Sequence, residues 1–175
     1  MTRRDWLLTA GVALTAAATG YSYNLWRTSP PTDDQRTADA LLALTLPNLD
    51  GQSETLARWR GKVLAVNFWA TWCAPCREEI PVFVKLQKKY DGRGLQFVGI
   101  AIDQPEKVRP YATELQMNFP VLIGRADSIE LTRTLGNRAG VLPFTVIVGR
   151  NGTIAATEIG ALKEARLELL LASLL

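Results

Sequence analysis

No histidine occurs anywhere in the 175 residues, and there are only two cysteines. The first absence removes Ser–His and Cys–His catalysis, together with the commonest metal ligand. Any general acid or base must then be a carboxylate, a lysine, a tyrosine or water. The second absence removes a disulfide framework. Cys73 and Cys76 stand three positions apart, so a bridge between them is local and chemical rather than a staple. A tetrahedral structural zinc site needs four nitrogen or sulfur ligands, which two cysteines without histidine cannot supply. Charge of one sign is scarce as well. The net charge is +3; Arg3, Arg4 and Arg27 with Asp5 contribute +2 of it, which leaves no electrostatic footprint for nucleic acid. Internal repeats and low-complexity tracts are also missing.

What is present is ample apolar material. With 47% hydrophobic and 21% charged residues, a chain of this length suits one packed core and is unlike a disordered composition. The first 27 residues stand apart. Thr2-Arg3-Arg4-Asp5 leads into Trp6–Trp26, which carries no charge. As a helix that stretch would be ~31 Å long, enough to span a bilayer core. Trp6, Tyr21, Tyr23 and Trp26 stand at its ends like interfacial anchors, and the arginines predict a cytoplasmic N-terminus with the remainder exported. Two leading readings stay open beside a buried soluble helix: a retained anchor, or a cleaved signal whose apolar run Leu7–Ala18 ends in three alanines, with a loose twin-arginine pattern before it. Both export the rest of the chain. Residues 28–37, with Pro30-Pro31 and polar neighbours, read as an extended linker. Residues 38–175 read as one folded domain.

Within it strands and helices alternate. Leu41–Leu49, ending at Asp50-Gly51, reads as a strand or hairpin. Lys62–Trp69 and Leu95–Ile102 are nearly continuous apolar runs, suited to strands buried on both faces. Cys76, Ile80, Phe83, Leu86 or Gln87, and Tyr90 form one helical stripe, stopped by Asp91-Gly92-Arg93-Gly94. Pro105–Leu115 reads as a helix, Phe119–Ile123 as a short strand, and Ser128–Leu135 as a helix capped by Ser128. Val141–Val148 and Thr153–Ile159 flank Gly149-Arg150-Asn151-Gly152 as a hairpin, and Leu162–Leu175 closes the chain as a helix. The order β-α-β-α-β-α-β-β-α predicts an α/β fold, with parallel strands first and an antiparallel hairpin last.

The chemistry lies where the first core strand meets its helix, in Asn67-Phe68-Trp69-Ala70-Thr71-Trp72-Cys73-Ala74-Pro75-Cys76-Arg77. A C-x-x-C at a strand-to-helix junction is the thioredoxin arrangement. Cys73 falls at the helix N-terminus, where unpaired N–H groups and the macrodipole favour a thiolate. Cys76 sits one turn in, more shielded, and Pro75 suits a first turn that needs no N–H.

Val66–Cys76 resembles the active-site run of the exported TlpA/ResA group of thioredoxin-like proteins. The resemblance runs from about Leu41 to the C-terminus, and includes Leu46-Pro47-Asn48-Leu49-Asp50-Gly51 and Trp59-Arg60-Gly61-Lys62. It implies a thioredoxin-like fold, a central mixed sheet flanked by helices behind an N-terminal membrane or signal segment. It also implies dithiol–disulfide exchange, usually as a reductant. The partners would be exported disulfide proteins and a transmembrane electron donor, on the extracytoplasmic (periplasmic) side of the inner membrane. No cofactor or metal is called for beyond the Cys73–Cys76 pair.

On the same resemblance Pro143 is a cis-proline facing the cysteines, leaving the Leu142 carbonyl and N–H for an extended substrate. Glu79 lies one turn after Cys76, and spacing alone would also suit a solvated residue like Glu78. The group's Cys-Arg/Lys-x-Glu-x-Pro matches Cys76-Arg77-Glu78-Glu79-Ile80-Pro81 and makes Glu79 a candidate proton carrier for Cys76. Cytosolic thioredoxins place a buried Asp where Asn67 stands. Trp69 reads as core, whereas Trp72, with Ala74 and Pro75, reads as the active-site rim. Haem-maturation relatives often carry Glu after the cis-proline; Phe144 stands here, so cytochrome c biogenesis gains no specific support. Two other functions are compatible with this fold. A copper-binding assembly factor would add a histidine and wider cysteine spacing, and a peroxiredoxin-type peroxidase would need a proline upstream of its cysteine.

Overall fold

The structure is a computed structural model that describes residues 19–21 and 33–175. Two compact units divide at Thr32 and Asp33. In the first, Thr19–Tyr21 is helical and exposed. The remainder of the Trp6–Trp26 segment lies outside the described residues. Among the described residues no helix is long and apolar enough to cross a membrane.

The second unit opens with α1 (Asp33–Ala43), followed by a two-stranded antiparallel hairpin of β1 (Thr45–Pro47) and β2 (Ser53–Thr55). A five-stranded sheet holds the centre in the order β5-β4-β3-β6-β7, with β3 (Val63–Trp69), β4 (Leu95–Ala101), β5 (Val121–Ile123), β6 (Phe144–Val148) and β7 (Ile154–Ile159). β3, β4 and β5 run parallel, while β6 and β7 are antiparallel additions. The crossovers are α2 (Ala74–Tyr90), α3 (Pro105–Glu114) and α4 (Ala126–Thr134), and α5 (Glu164–Ala172) closes the chain. This is the thioredoxin-like mixed sheet flanked by helices.

β3 and β4 are buried along their whole length, as their continuous apolar runs require of strands covered on both faces. The pleat sorts β3. Val63, Ala65 and Trp69 face a cluster with Ile80, Phe83 and Leu86 of α2 and Leu167 and Leu171 of α5. Leu64, Val66 and Phe68 face Leu41 and Leu42 of α1 and Leu135 after α4. Of β4, only Gly99–Ala101 pair with β5, which also bridges Asn48 through Leu122. Part of the uncovered edge of β4 is satisfied by the buried Gln87 side chain instead: its Oε1 accepts the Phe97 N–H at 2.6 Å, and its Nε2 donates to the Leu95 carbonyl at 3.3 Å. Gly94, at φ 84°, ends the α2 excursion in the left-handed conformation that glycine adopts without a side-chain clash.

Several local expectations give way. The 28–37 segment, expected as an extended linker, is helical from Asp33. No proline follows Pro31 until Pro47, and Ala38, Leu41 and Leu42 recur at helical spacing with 0–1% exposure, so burial carries this helix. For the same reason Leu41–Ala43, expected in a strand, ends α1, and only Thr45–Pro47 is extended. Ser128 sits inside the first turn of α4 rather than before it. Its hydroxyl accepts the Arg125 N–H at 3.1 Å, a reach back to the cap position. β6 starts at Phe144 and not at Val141, because Asn137 ties down the preceding loop through the Val141 backbone.

Candidate active site

Cys73 and Cys76 are joined by a disulfide, with Cα atoms 5.3 Å apart, so the structure describes the oxidised form. Cys73 is the N-cap of α2, in extended conformation, with Ala74 and Pro75 in the first turn. A tight turn brings it there: its N–H donates to the Ala70 carbonyl at 3.2 Å, and its own carbonyl accepts from Arg77 at 3.3 Å. Cys73 keeps 6% exposure and Cys76 none. Trp72, beside them, is 68% exposed, whereas Trp69 is fully buried. Gly99 permits that burial, since a Cβ there would stand 3.1 Å from the Trp69 Nε1.

The turn is pinned from the end of β4. The Thr71 hydroxyl donates to Asp103 Oδ2, and the Gln104 N–H donates to Asp103 Oδ1 at 2.8 Å. Burial works against the Asp103 charge, but these donors and Lys107 outweigh it and hold the carboxyl below its ordinary range.

The register Phe68↔Phe144 sets Pro143 beside the end of β3, close to the turn that leads into Cys73. The Leu142–Pro143 bond is cis. Leu142 packs against the cluster that contains both cysteines. Its N–H and carbonyl make no backbone hydrogen bond among the described residues, while the Pro143 carbonyl accepts from Gly160 at 2.9 Å. Asn137, fully buried, holds the approach to this loop by bonding both the N–H and the carbonyl of Val141.

Glu79 is 2% exposed, on the inner face of α2 and not on the solvated face that carries Glu78. Its Oε1 accepts from Asn67 Nδ2 at 2.8 Å and its Oε2 from the Leu162 N–H at 2.8 Å. Asn67 also donates to Thr145 Oγ1 at 3.0 Å. Burial pushes the Glu79 pKa up to about 7, against the lowering pull of the Leu162 and Asn67 donors. Near neutral pH the group is therefore poised to take or release a proton.

Sequence reasoning names Cys73, Cys76, Glu79 and Pro143 as candidates but does not assign the groups that hold Glu79 and the turn before Cys73. Thr145 and Asn67 have a legible signal: polar residues in otherwise apolar strands need partners. Asp103, just past a strand end and two residues from a proline, reads locally as a turn residue. Leu162 acts through its backbone N–H and leaves no signal at all.

Comparison with known proteins gives a consistent picture. A family model described as the AhpC/TSA family matches residues 37–157. The chain is 32% identical over 110 residues to the thiol-disulfide oxidoreductase ResA of Geobacillus thermodenitrificans, covering 62% of this chain and 61% of that protein's own length. To the ResA of Halalkalibacterium halodurans it is 26% identical over 169 residues, 95% of this chain and 92% of that protein. Among solved structures it resembles a thiol:disulfide interchange protein of the thioredoxin family from Chlorobium tepidum, with a TM-score of 0.68 and 29% identity over 75% of this chain and 92% of that one.

Proposed function

The chain belongs to the AhpC/TSA family and is a thiol–disulfide oxidoreductase of thioredoxin-like fold; on that premise we propose that it reduces disulfides of exported proteins, tethered by its N-terminal segment. The observation that carries the reading is the asymmetry of the cysteine pair: Cys73 caps a helix N-terminus with a sliver of its surface open, and Cys76 is sealed one turn inside.

In the reduced protein, the helix N-terminus favours Cys73 as thiolate, and that thiolate attacks the substrate disulfide. One substrate sulfur leaves as a thiol, and a mixed disulfide remains on Cys73. Cys76 then attacks Sγ of Cys73, the second substrate sulfur departs with the bond's electron pair, and the Cys73–Cys76 disulfide of this structure results. Cys76 must lose a proton first, at a position sealed from solvent, and Glu79 accepts it. The Leu142 backbone, with Trp72, Ala74 and Pro75, holds the extended substrate segment. A transmembrane donor of electrons returns the pair to the dithiol.

The export part rests on Arg3 and Arg4 before an uncharged stretch of bilayer length. The match to one relative over 95% of this chain extends into that stretch.

Peroxide is the natural second substrate to try on this fold. Ala70 and Val66 stand three and seven residues before Cys73, where a peroxidase motif would carry its hydroxyl residue and its proline. That favours disulfide over peroxide.

Trapping in cells tests the reading. Cys76→Ser should accumulate mixed disulfides with exported, cysteine-bearing proteins, and Cys73→Ser should trap none and lose all reductase activity. Trapping by Cys73→Ser alone would reverse the assigned roles, and exclusively cytosolic partners would overturn the export reading.

A further inference from the structure

A proton accepted by a buried carboxylate must still reach water, and the face that holds the cysteines is covered when substrate is bound. Glu79 has a second way out. A cavity of about 330 Å³ is lined by Glu79 and Val82 of α2, by Glu78 at its rim, by Ala161, Leu162 and Lys163 between β7 and α5, and by Glu164 at the start of α5. It has room for several waters. Its inner end is buried, at Glu79 and Leu162, and its outer end is exposed, at Glu78, Ala161 and Lys163. None of Trp72, Cys73, Ala74, Pro75, Leu142 and Pro143 lines it. Leu162, whose N–H bonds Glu79 Oε2 at 2.8 Å, is a residue of this wall, so the carboxylate is tied directly to the lining of the opening.

We propose that this opening between α2 and the Ala161–Glu164 segment is the proton inlet of Glu79, a water site that stays open while substrate covers the cysteines. The proposal rests on Glu79 as the proton acceptor of Cys76. In the resolving step the Cys76 thiol gives its proton to Glu79, and the thiolate forms the S–S bond to Cys73. The Cys73–substrate bond breaks with its electron pair on the substrate sulfur, which is protonated from solvent. Glu79 then releases the extra proton through the inlet. On re-reduction a proton returns by the same route to the Cys76 sulfur. Two protein thiols become one disulfide while one substrate disulfide becomes two thiols, so atoms and electrons balance. The charged groups around the route are Glu78 on α2, with Lys163 and Glu164 opposite, the last paired with Lys85 at 2.7 Å. Asn67 and Thr145, from β3 and β6, are neutral.

Filling the opening tests the proposal. Ala161 is exposed, so Ala161→Trp plugs the mouth without entering the core; Val82→Phe fills it from the opposite wall and serves if the first variant folds poorly. Stopped-flow measurements with a peptide disulfide separate the attack by Cys73 from the resolution by Cys76. The plug should leave attack unchanged, slow resolution about tenfold, within the range of a lost proton transfer, and raise its solvent deuterium isotope effect. On a Glu79→Gln background the plug should slow nothing further. If Glu79→Gln slows resolution and the plug does not, the inlet is wrong and the role of Glu79 stands. A Glu79→Gln variant that resolves at the parent rate removes the role of Glu79 itself. Slowing of both steps, or undiminished slowing in the double variant, would mean that the introduced indole obstructs the substrate, and this too overturns the inlet.

Discussion

On the face of the sheet under α1 and α4, Leu64, Val66 and Phe68 of β3 meet Val98, Ile100, Phe144, Val146 and Val148 in a sealed cluster of apolar side chains. On the face under α2 and α5, the same strand presents Val63, Ala65 and Trp69 but interrupts them with Asn67, which bonds Glu79 from α2 and Thr145 from β6. Both cysteines lie on that second face. Among the described residues, no charged residue is more deeply buried than Glu79, at 2% exposure. The contrast separates two tasks. An apolar face contributes stability in proportion to the area it removes from water. A face with a desolvated carboxyl gives up stability at high pH and gains a group that titrates near neutrality.

The sharpest way to break this contrast is to damage the apolar face. Phe68 is fully buried, with its ring 6.0 Å from that of Phe144. Phe68→Ala should cost about 3–5 kcal/mol in urea unfolding, a large share of a small domain's stability of roughly 5–15 kcal/mol, while the protein that remains folded keeps its Cys73 reactivity. A loss below ~1 kcal/mol would mean that this face is not where stability resides.

Glu79→Gln probes the other face, and its effect should have opposite signs on rate and on stability. Resolution should slow roughly 10- to 100-fold, toward the low end of acid–base contributions. Stability should move the other way as pH rises. The folded-state pKa of about 7 lies above the ordinary 4.5, so the folded protein holds this proton where the unfolded chain has lost it. The contribution is fully present below pH ~4.5 and is lost as pH rises through ~7, in total about 3 kcal/mol. Gln does not titrate, so the stability of Glu79→Gln relative to the parent should improve by about that amount between pH ~4.5 and ~8. Parallel stability curves across that interval would show Glu79 to be solvated and the two faces alike.

The smallest effect belongs to the rim. Trp72 is 68% exposed, so Trp72→Ala should leave unfolding within about 0.5 kcal/mol of the parent. If its ring covers bound substrate, kcat/KM for a peptide disulfide should fall roughly fivefold, about 1 kcal/mol of aromatic contact. An unchanged kcat/KM would remove Trp72 from the docking surface.

Much of this molecule is legible from local pattern. Runs such as Val63–Trp69 and Leu95–Ala101 are strands buried on both faces because no other element suits seven consecutive core residues flanked by turns. The i, i+3, i+4 stripe of α2 and the paired cysteines at its N-terminus follow from spacing alone. The helix α1 is harder to see. Its polar start resembles a linker, and only the docking of Ala38, Leu41 and Leu42 into the core makes it a helix.

By itself, then, the amino-acid sequence determined the reaction type and the strand–helix order from Val63 onward, since both depend on residues within one or two turns of each other. Only the tertiary structure decided the state of Glu79. Spacing places it one turn from Cys76 but is equally consistent with a solvated side chain. Its burial comes from packing against β3 and the segment before α5, and its two donors come from 12 and 83 residues away. A pKa responds to desolvation and to the donors gathered around a group, and those are properties of the assembled fold and not of the neighbouring sequence.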